Sequence, residues 1–499
     1  MIVDLAHKRA QLAPRRPAVR FDGRWHDYGE LDLRAGRLAG RLAEAGLAKG
    51  DRVAILAHNH IAHIDLLLAT AKLGVIYTPF NHRLVEREQA ALAAYVRPAL
   101  LLYDEPNGGK ARAVASGHPM PLRSLTAHEE WLDSSPGPPS VTELDPEDTQ
   151  MILFTGGTTG TPKGAMLPYR QGLCNAANTV FSWGLREDDC VIQATPCFHA
   201  ALNAFTVPLL FLGARVVLQE TFDPGEYLGL VEAQGATVLF MVPTMYQMLI
   251  GHSAFSEADL STVRWAISGG APCPEPVRAA FDERGIRFRQ GYGLTEAGVN
   301  CFAIDLDDAA ENPLSVGHPI FDSEAVIRDS EGEPVPPGEV GELTLRGGHL
   351  FSGYFEKPAA TAEVLRNGWL WTGDLARQDD AGRFYLVGRR KEMFISGGEN
   401  VFPAEIENVL YSHPAVSECT VLAVSDDRWG EVGLAAIVLR QQHRLSTEEA
   451  EAFLRSRLAG YKVPKHIHFL EALPKSGAGK ILKQEIARWF LEGGQSAAS

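Results

Sequence analysis

A glycine- and threonine-rich segment carries the residue types in this 499-residue chain that most clearly suit chemistry. Residues 153–164 are Leu-Phe-Thr-Gly-Gly-Thr-Thr-Gly-Thr-Pro-Lys-Gly, and the apolar run Met151–Phe154 predicts a strand leading into them. Glycines let backbone N–H groups turn toward an anion, threonine hydroxyls add donors, and Lys163 supplies a positive charge. The segment therefore predicts a polyphosphate-binding loop, with a Gly/Thr surface turn as the alternative when the loop is taken alone. It is not a Walker A loop, because no Gly-Lys-Ser/Thr triplet closes it.

A second segment, residues 291–296, places an aromatic ring, a hydroxyl and a carboxylate in one glycine-flanked turn. The ring of Tyr292 could stack on a planar base, and the hydroxyl of Thr295 could donate to a phosphate. The carboxylate of Glu296 could hold Mg²⁺ directly or through water. Each feature is a weak signal by itself.

Two later segments add a carboxylate and a lysine. Trp371–Asp374 offers a carboxylate held by a turn, which suits a pair of ribose hydroxyls. Lys475–Lys480 places a lysine on a glycine-containing loop near the C-terminus, although a solvated lysine loop is the default interpretation of such a segment.

The composition is that of an ordinary globular protein, with 45% hydrophobic and 22% charged residues. The 47 Lys and Arg against 62 Asp and Glu give a net charge of −15, which argues against a nucleic-acid partner. The six cysteines form no CxxC pair, so we expect a reducing, cytoplasmic setting. Residues 190–214 are uncharged, but their two prolines and several polar residues predict buried interior and no integral membrane segment.

The elements that must position these segments alternate between helix-like and strand-like patterns. Residues 104–150 are rich in Pro, Gly, Ser and charge, and predict surface connections. Short strands and turns from about residue 325 predict a β-rich subdomain, and a further α/β unit follows from about residue 389. Predicted helices are 31–47, 61–73 and 447–458; predicted strands are 52–56, 190–193, 214–218, 237–242, 265–268, 341–346, 384–387, 420–424 and 435–439.

Taken together and in this order, the segments resemble the adenylate-forming superfamily, which includes acyl-CoA synthetases and amino-acid-activating adenylation domains. The resemblance covers essentially the whole chain. Its matching motifs are 155–164, 268–271, 290–296, 341–343, 353–354, 368–374, 388–391, 395–400 and 477–480.

The resemblance implies an α/β fold in two parts. The large N-terminal domain, 1–388, would contain two helix-covered, mostly parallel sheets and a β-rich subdomain at about 325–388. The small α+β C-terminal domain, 389–499, would be mobile about a hinge near 389–392.

The resemblance also implies site residues, matched motif by motif. Those expected to hold ATP are Thr155, Gly156, Gly157, Thr158, Thr159, Gly160, Lys163, Gly270, Ala271, Gln290, Gly291, Tyr292, Gly293, Thr295, Asp374 and Arg389. Thr155 and Glu296 would bind Mg²⁺. The expected catalytic residues are Lys480, Glu296, His199 and Lys391, with Lys391 at the hinge. Ser396, Gly397 and Gly398 would line the tunnel for coenzyme A, and His199, Ala200 and Ala204 the acyl pocket.

The implied activity is that of an acyl-CoA synthetase, which forms an acyl-adenylate from a carboxylic acid and ATP and then transfers the acyl group to coenzyme A. Where amino-acid-activating domains carry an aspartate, this chain has His199, so α-amino acids are disfavoured. His199 itself could orient the acid or gate the acyl channel, and a satisfied core histidine is the alternative interpretation. The small residues after it favour an apolar tail, and we expect a medium- or long-chain fatty acid. The alternatives are an aryl acid or transfer to a carrier protein. A homodimer is left open.

Overall fold

The computed structural model of the chain describes residues 4–138, 143–155, 162–426, 428–475 and 481–491. The chain forms two compact units. The first comprises Met1–Ala271, Phe281–Ala325 and Leu345–Leu370, and the second comprises Pro272–Ala280, Val326–Thr344 and Trp371–Ser499.

The helices of the described ranges are α1 (Leu5–Leu12), α2 (Tyr28–Glu44), α3 (Ile61–Leu73), α4 (Glu86–Val96), α5 (Gly108–Gly117), α6 (His128–Asp133), α7 (Tyr169–Trp183), α8 (Val207–Leu212), α9 (Pro224–Gln234), α10 (Pro243–Ile250), α11 (Glu275–Asp282), α12 (Leu306–Glu311), α13 (Pro358–Val364), α14 (Pro403–Tyr411), α15 (Thr447–Arg455) and α16 (Lys483–Leu491).

The strands are β1 (Pro17–Phe21), β2 (Arg24–Asp27), β3 (Arg52–Leu56), β4 (Ile76–Pro79), β5 (Leu100–Tyr103), β6 (Leu122–Ser124), β7 (Thr149–Thr155), β8 (Lys163–Pro168), β9 (Cys190–Gln193), β10 (Arg215–Leu218), β11 (Val238–Met241), β12 (Trp265–Ser268), β13 (Arg287–Gln290), β14 (Phe302–Ala303), β15 (His318–Pro319), β16 (Glu324–Arg328), β17 (Gly341–Arg346), β18 (Gly353–Tyr354), β19 (Leu365–Arg366), β20 (Trp369–Gln378), β21 (Phe384–Arg389), β22 (Phe394–Ser396), β23 (Glu399–Val401), β24 (Val416–Asp426), β25 (Gly430–Leu439) and β26 (His466–Phe469).

Two seven-stranded sheets form the centre of the first unit. One has the strand order β13-β12-β11-β9-β10-β1-β2, and the other has the order β18-β8-β7-β4-β3-β5-β6. Neighbouring strands are parallel except at β1–β2, β7–β8 and β8–β18. Parallel sheets require cover on both faces, which the intervening helices supply. The predicted fold class is confirmed.

Helix α3 illustrates this cover, because 11 of its 13 residues are buried. A helix that is apolar around its whole circumference belongs in the interior. Its carboxylate, Asp65, is fully buried and contacts Arg34 at 2.8 Å and His128 at 2.9 Å. Burial alone would raise the pKa of Asp65, but Arg34 and His128 hold that pKa below its usual range. The buried charge is therefore compensated.

The second unit contains the C-terminal sheet, in which β23, β22, β25 and β24 are neighbours and β26 pairs with β25. All of these pairs are antiparallel except β25–β26. Strands β20 and β21 also pair antiparallel, with Asp374 opposite Arg389. The mixed helix and strand content agrees with the α+β character expected for this part of the chain.

The prediction of surface connections for residues 104–150 is wrong for much of that segment. It contains α5, α6 and β6, which extends the second sheet by pairing with β5. Ala111 and Val114 on α5 are fully buried, and Leu132 on α6 has only 1% of its surface exposed. Tertiary burial of a few apolar side chains outweighs the turn-like composition of the segment.

The uncharged stretch 190–214 is divided among β9, a π-helical turn and α8. Within the residues that the structure describes, no helix combines the length and apolar character needed to cross a bilayer.

Candidate active site

Three of the predicted segments leave the same edge of the first seven-stranded sheet. Strands β9, β11, β12 and β13 run parallel, so their carboxyl ends point the same way. Ser268 at the end of β12 lies opposite Gln290 at the end of β13. The loops 269–271 and 291–296 therefore begin side by side, and the loop 194–199 follows β9 at the same edge. Ligands of open α/β sheets bind at this edge.

Hydrogen bonds join the two loops expected to hold adenine. Gln290 Nε2 donates to the carbonyl oxygen of Ala271 at 3.2 Å, and the backbone N–H of Gly291 donates to Ser268 at 2.8 Å. Gly270 has a φ of +83°, a conformation that favours glycine. The structure thus brings Gly270, Ala271, Gln290 and Gly291 together, and their binding of the nucleotide stays a prediction.

The turn after Gly291 is tightly packed against the chain that follows it. A Cβ on Gly293 would lie 1.8 Å from the carbonyl oxygen of Val299, so no other residue fits there. Val299 itself has a φ of +61°, which is rare and strained for a β-branched residue. Cys301 N donates to Tyr292 O at 3.0 Å, and the ring of Tyr292 lies edge-to-face against Phe302. These contacts fix the position of Tyr292.

Tyr354 connects the lysine after the glycine loop to the carboxylate of Glu296. Its hydroxyl donates to Glu296 Oε1 at 2.8 Å, and Lys163 Nζ lies 4.9 Å from the centre of its ring. Burial is the main cause that raises the pKa of Tyr354 well above its usual range, and the nearby carboxylate of Glu296 raises it further. The phenol therefore remains a hydrogen-bond donor. Sequence reasoning assigned Tyr354 no role, although the Gly353-Tyr354 motif was a signal for it.

The two residues predicted to bind magnesium carry oxygen ligands of the kind that this ion prefers. Thr155 ends β7 and lies opposite Lys163, the first residue of β8. The Thr155 hydroxyl and the Tyr354-oriented carboxylate of Glu296 are the hard oxygen donors that Mg²⁺ prefers. The side chains therefore fit the ion. The remaining predicted phosphate ligands lie outside the described residues: Gly156, Gly157, Thr158, Thr159 and Gly160.

A buried asparagine holds the segment that contains His199. Asn59 is 4% exposed; its Nδ2 donates to Thr195 O at 3.2 Å and its Oδ1 accepts from Cys197 N at 2.7 Å. The ring of His199 lies 4.7 Å from that of Phe198. Asn59 was not predicted as a site residue, because it lies 136 residues before Thr195 in the sequence.

The expected acyl-pocket residues His199, Ala200 and Ala204 are close in the chain but differ in surroundings. Ala204 is 2% exposed, whereas Ala200 is half-buried. Ala204 belongs to a π-helical turn, Leu202–Thr206, that leads directly into α8. The predicted acyl-pocket residues therefore lie in one continuous segment, residues 199–204.

The second unit contains the predicted ribose carboxylate. Asp374 is 5% exposed, and Arg389 Nε contacts its Oδ1 at 2.6 Å. Glu342 accepts from Gly373 N at 2.9 Å and contacts Arg390 Nη1 at 3.0 Å. Glu342 thus fixes the turn that carries Asp374, a role that sequence reasoning did not assign to it.

The predicted tunnel residues form a tight hairpin turn in the second unit. Strands β22 and β23 pair with Ser396 opposite Glu399, and the turn consists of Gly397 and Gly398. Both glycines have positive φ, +61° and +89°, which two-residue hairpins of this kind require. A Cβ on Gly397 would approach the Trp429 ring to 2.8 Å, so a glycine is needed at this contact.

The predicted hinge residue Lys391 lies in the turn that follows β21. The next residue, Glu392, contacts Lys483 Nζ at 2.7 Å, and Lys483 also contacts Glu407 at 3.3 Å. These ion pairs join the turn to the first residue of α16. The predicted catalytic Lys480 lies outside the described residues.

Comparison with known protein families identifies the family to which the chain belongs. The model described as AMP-binding enzyme matches residues 6–355, and the model described as AMP-binding enzyme C-terminal domain matches residues 405–480. The chain belongs to the AMP-binding enzyme family. This confirms the predicted adenylate-forming, acyl-CoA synthetase branch and the enzyme class, an AMP-forming acid–thiol ligase.

The similarity to individual AMP-binding enzymes extends over nearly the whole chain. A feruloyl-CoA synthase from Amycolatopsis sp is 41% identical over 97% of this chain and 98% of its own length. An indoleacetate–CoA ligase from Aromatoleum aromaticum is 34% identical over 96% of each chain. The o-succinylbenzoate CoA synthetase of Bacillus subtilis, solved with its acyl-adenylate intermediate, superposes with a TM-score of 0.89 at 29% identity, over 97% of each chain. That enzyme has also been solved with ATP and a magnesium ion.

Proposed function

We propose that this AMP-binding enzyme activates an aromatic carboxylic acid with Mg-ATP and transfers the acyl group to coenzyme A. The observation that carries the choice of substrate is the 41% identity, along nearly the whole chain, to a feruloyl-CoA synthase. The indoleacetate and succinylbenzoate ligases act on aromatic acids as well. The comparisons favour this alternative over the fatty acid that the small residues after His199 led us to expect.

In the first step an oxygen of the substrate carboxylate attacks the α-phosphorus of ATP. The bond from that phosphorus to the bridging oxygen breaks, and pyrophosphate leaves. The reaction brings negative groups together, so positive charge and donors must offset their repulsion. In our proposal Lys163 and the glycine loop bind the β- and γ-phosphates, and Thr295 donates to the α-phosphate. Thr155 and Glu296 would hold magnesium, which would supply further positive charge to the phosphates.

The other residues predicted to bind ATP would contact its adenine and ribose. Gly270, Ala271 and Tyr292 would frame adenine, supported by the hydrogen bonds that fix both loops. Asp374 would accept hydrogen bonds from the ribose hydroxyls. Its buried carboxylate and its 2.6 Å contact with Arg389 support that role, since the guanidinium fixes the orientation of the acceptor.

In the second step the thiol of coenzyme A attacks the acyl-adenylate carbonyl, the mixed anhydride bond breaks, and AMP leaves. Ser396, Gly397 and Gly398 would line the path of the thiol, where glycines allow close approach to the backbone. Lys480 would act in the first step.

We further propose a C-terminal domain boundary near residue 389, with Lys391 at the hinge. Tests of Lys480 and Lys391 need the two steps to be measured separately.

The acid itself would lie beside His199, Ala200 and Ala204. Because this position lacks the aspartate that pairs with an ammonium group, amino acids remain disfavoured. The small side chains of Ala200 and Ala204 would leave room for an aromatic ring next to the adenylate.

A substrate panel tests the proposal. Pyrophosphate release and AMP formation are measured with 4-hydroxycinnamate, benzoate, indole-3-acetate, octanoate and palmitate, with and without coenzyme A. We expect the highest kcat/KM for an aromatic acid and an acyl-CoA product. Highest activity with octanoate or palmitate would contradict the aromatic assignment. Adenylate formation without any acyl-CoA would point to a carrier-protein acceptor instead.

A further inference from the structure

The chain that follows β18 extends the antiparallel pairing of that strand with β8 toward the glycine loop. One residue beyond β18, the backbone N–H of Phe355 donates to Gly164 O at 2.8 Å. Antiparallel strands form such hydrogen bonds at every second residue pair. In this register the next donor would be the N–H of Lys357, opposite the carbonyl oxygen of Pro162. The register thus leads to the residue that directly precedes Lys163.

The backbone turns away before it reaches that position. Glu356 has a φ of +50°, in the left-handed region, and the N–H of Lys357 donates back to Tyr354 O at 3.0 Å. The carbonyl oxygen of Pro162 instead accepts a hydrogen bond from the lysine side chain, with Lys357 Nζ at 3.3 Å. An ammonium group therefore replaces the backbone donor next to the glycine loop.

Neighbouring side chains hold this turn and its ammonium group. Lys357 Nζ lies 5.0 Å from the centre of the Tyr95 ring, within the range of a cation–π interaction. The Tyr95 hydroxyl donates to Phe355 O, and the guanidinium of Arg97 pairs with the carboxylate of Glu356. Tyr95 lies in the last turn of α4, and Arg97 directly follows that helix. The half-buried side chain of Lys357 therefore has a defined position.

The hydrogen bond from Lys357 acts on the peptide bond that leads into Lys163. A peptide unit is planar, so holding the carbonyl oxygen of Pro162 also holds the plane that contains the N and Cα atoms of Lys163. The side chain of Lys163 starts from that plane, and its Nζ lies 4.9 Å from the centre of the Tyr354 ring. Lys357 also brings a second positive charge to this end of the loop, which favours a polyanion there.

We propose that Lys357 is a positioning residue for the phosphate-binding lysine: it holds the Pro162–Lys163 peptide so that Lys163 can bind the terminal phosphates of ATP. The inference rests on the proposed function, which assigns the β- and γ-phosphates to Lys163 and the glycine loop. AMP lacks both of these phosphates. Lys357 should therefore matter for the binding of ATP and not for the binding of AMP.

The test measures the binding of ATP and of AMP by calorimetry, each with MgCl₂ and without an acid. Lys357→Met keeps most of the aliphatic side chain but removes the donor and the charge. We expect its Kd for ATP to rise about 10-fold, because a hydrogen bond from a charged group is lost at a half-buried position, and its Kd for AMP to stay unchanged. Lys357→Arg keeps the charge and the donors, and should restore ATP binding to within roughly threefold of the intact enzyme.

Lys110→Met is the matched control. Lys110 is also half-buried and donates to a backbone carbonyl, that of His82, at 2.5 Å, but this acceptor lies in a different loop. The control should keep both Kd values. In pyrophosphate release, Lys357→Met should raise KM for ATP and leave KM for the acid unchanged. Should Lys357→Met not fold, Lys357→Gln takes its place, because it also removes the charge and stays polar at this partly exposed position.

Two outcomes would overturn the role of Lys357: ATP binding unchanged in Lys357→Met, or an equal rise in Kd for ATP and for AMP, which would indicate a general structural effect. The proposed function would fail in a different way, visible in the intact enzyme alone. It would release no pyrophosphate with any aromatic acid, however tightly the variants bind ATP.

Discussion

Replacing Tyr354 by Phe isolates one hydrogen bond at the candidate magnesium site. The change removes the hydroxyl that donates to Glu296 Oε1 at 2.8 Å. It keeps the ring that lies 4.9 Å from Lys163 Nζ. Because Tyr354 is only 7% exposed, the ring should stay packed in the same place. The variant therefore tests the orientation of Glu296 with little other disturbance.

The size of the effect follows from the charge of the acceptor. A hydrogen bond to an ionised carboxylate contributes about 1.5–3 kcal/mol, which corresponds to roughly a 10- to 150-fold change in an equilibrium or a rate. If Glu296 must point at Mg²⁺ to bind the nucleotide productively, Tyr354→Phe should lower kcat/KM for ATP by this factor. It should also raise the magnesium concentration needed for half-maximal activity.

The assay is pyrophosphate release at saturating acid, with MgCl₂ titrated at fixed ATP. Tyr169→Phe is the matched control, because the Tyr169 hydroxyl is also buried but donates to Thr70 O at 2.8 Å, away from the site. The control should lose stability without any change in magnesium dependence. A wild-type magnesium titration for Tyr354→Phe would refute the positioning role of the phenol.

Three further predictions test other parts of the structure. Asp374→Asn should raise KM for ATP by roughly 10-fold or more, because it removes the charge that pairs with Arg389 at 2.6 Å; an unchanged KM would rule out the ribose assignment. Gly293→Ala should lower the free energy of unfolding by about 1–3 kcal/mol in a urea titration, since its Cβ would lie 1.8 Å from Val299 O; a wild-type midpoint would contradict the packing. Burial lowers the pKa of His63 to about 3, so the unfolded chain binds its proton first as pH falls, and stability should decline from about pH 6.5 downward; His63→Gln should weaken that decline in unfolding curves at about pH 7.5 and about pH 4.5.

The strands of the parallel sheets could be predicted closely because each is a short apolar run. Arg52–Leu56 and Trp265–Ser268 have the predicted bounds, and both are buried along most of their length. The segment around α5 could not be predicted, since its helix Gly108–Gly117 contains glycines and polar residues and depends on a few buried side chains for its stability. Local composition does not contain that tertiary information.

In the candidate site, too, some residues could be predicted from the sequence and others could not. Sequence motifs identified Glu296 and Asp374, because residue type and spacing are enough to suggest their chemistry. They did not identify the partners that orient these carboxylates: Tyr354 lies 58 residues after Glu296, and Glu342 lies 31 residues before Gly373. Such pairs become visible only when the strands that carry them are brought together.

The chemistry is tested most directly by trapping the intermediate. The purified protein is incubated with ATP, Mg²⁺ and 4-hydroxycinnamate without coenzyme A, and the bound products are identified by mass spectrometry before and after coenzyme A is added. We predict that pyrophosphate and an enzyme-bound acyl-adenylate form first, and that coenzyme A then converts the adenylate to the thioester and AMP. Formation of ADP in place of pyrophosphate, or a thioester formed without ATP, would contradict the proposed mechanism.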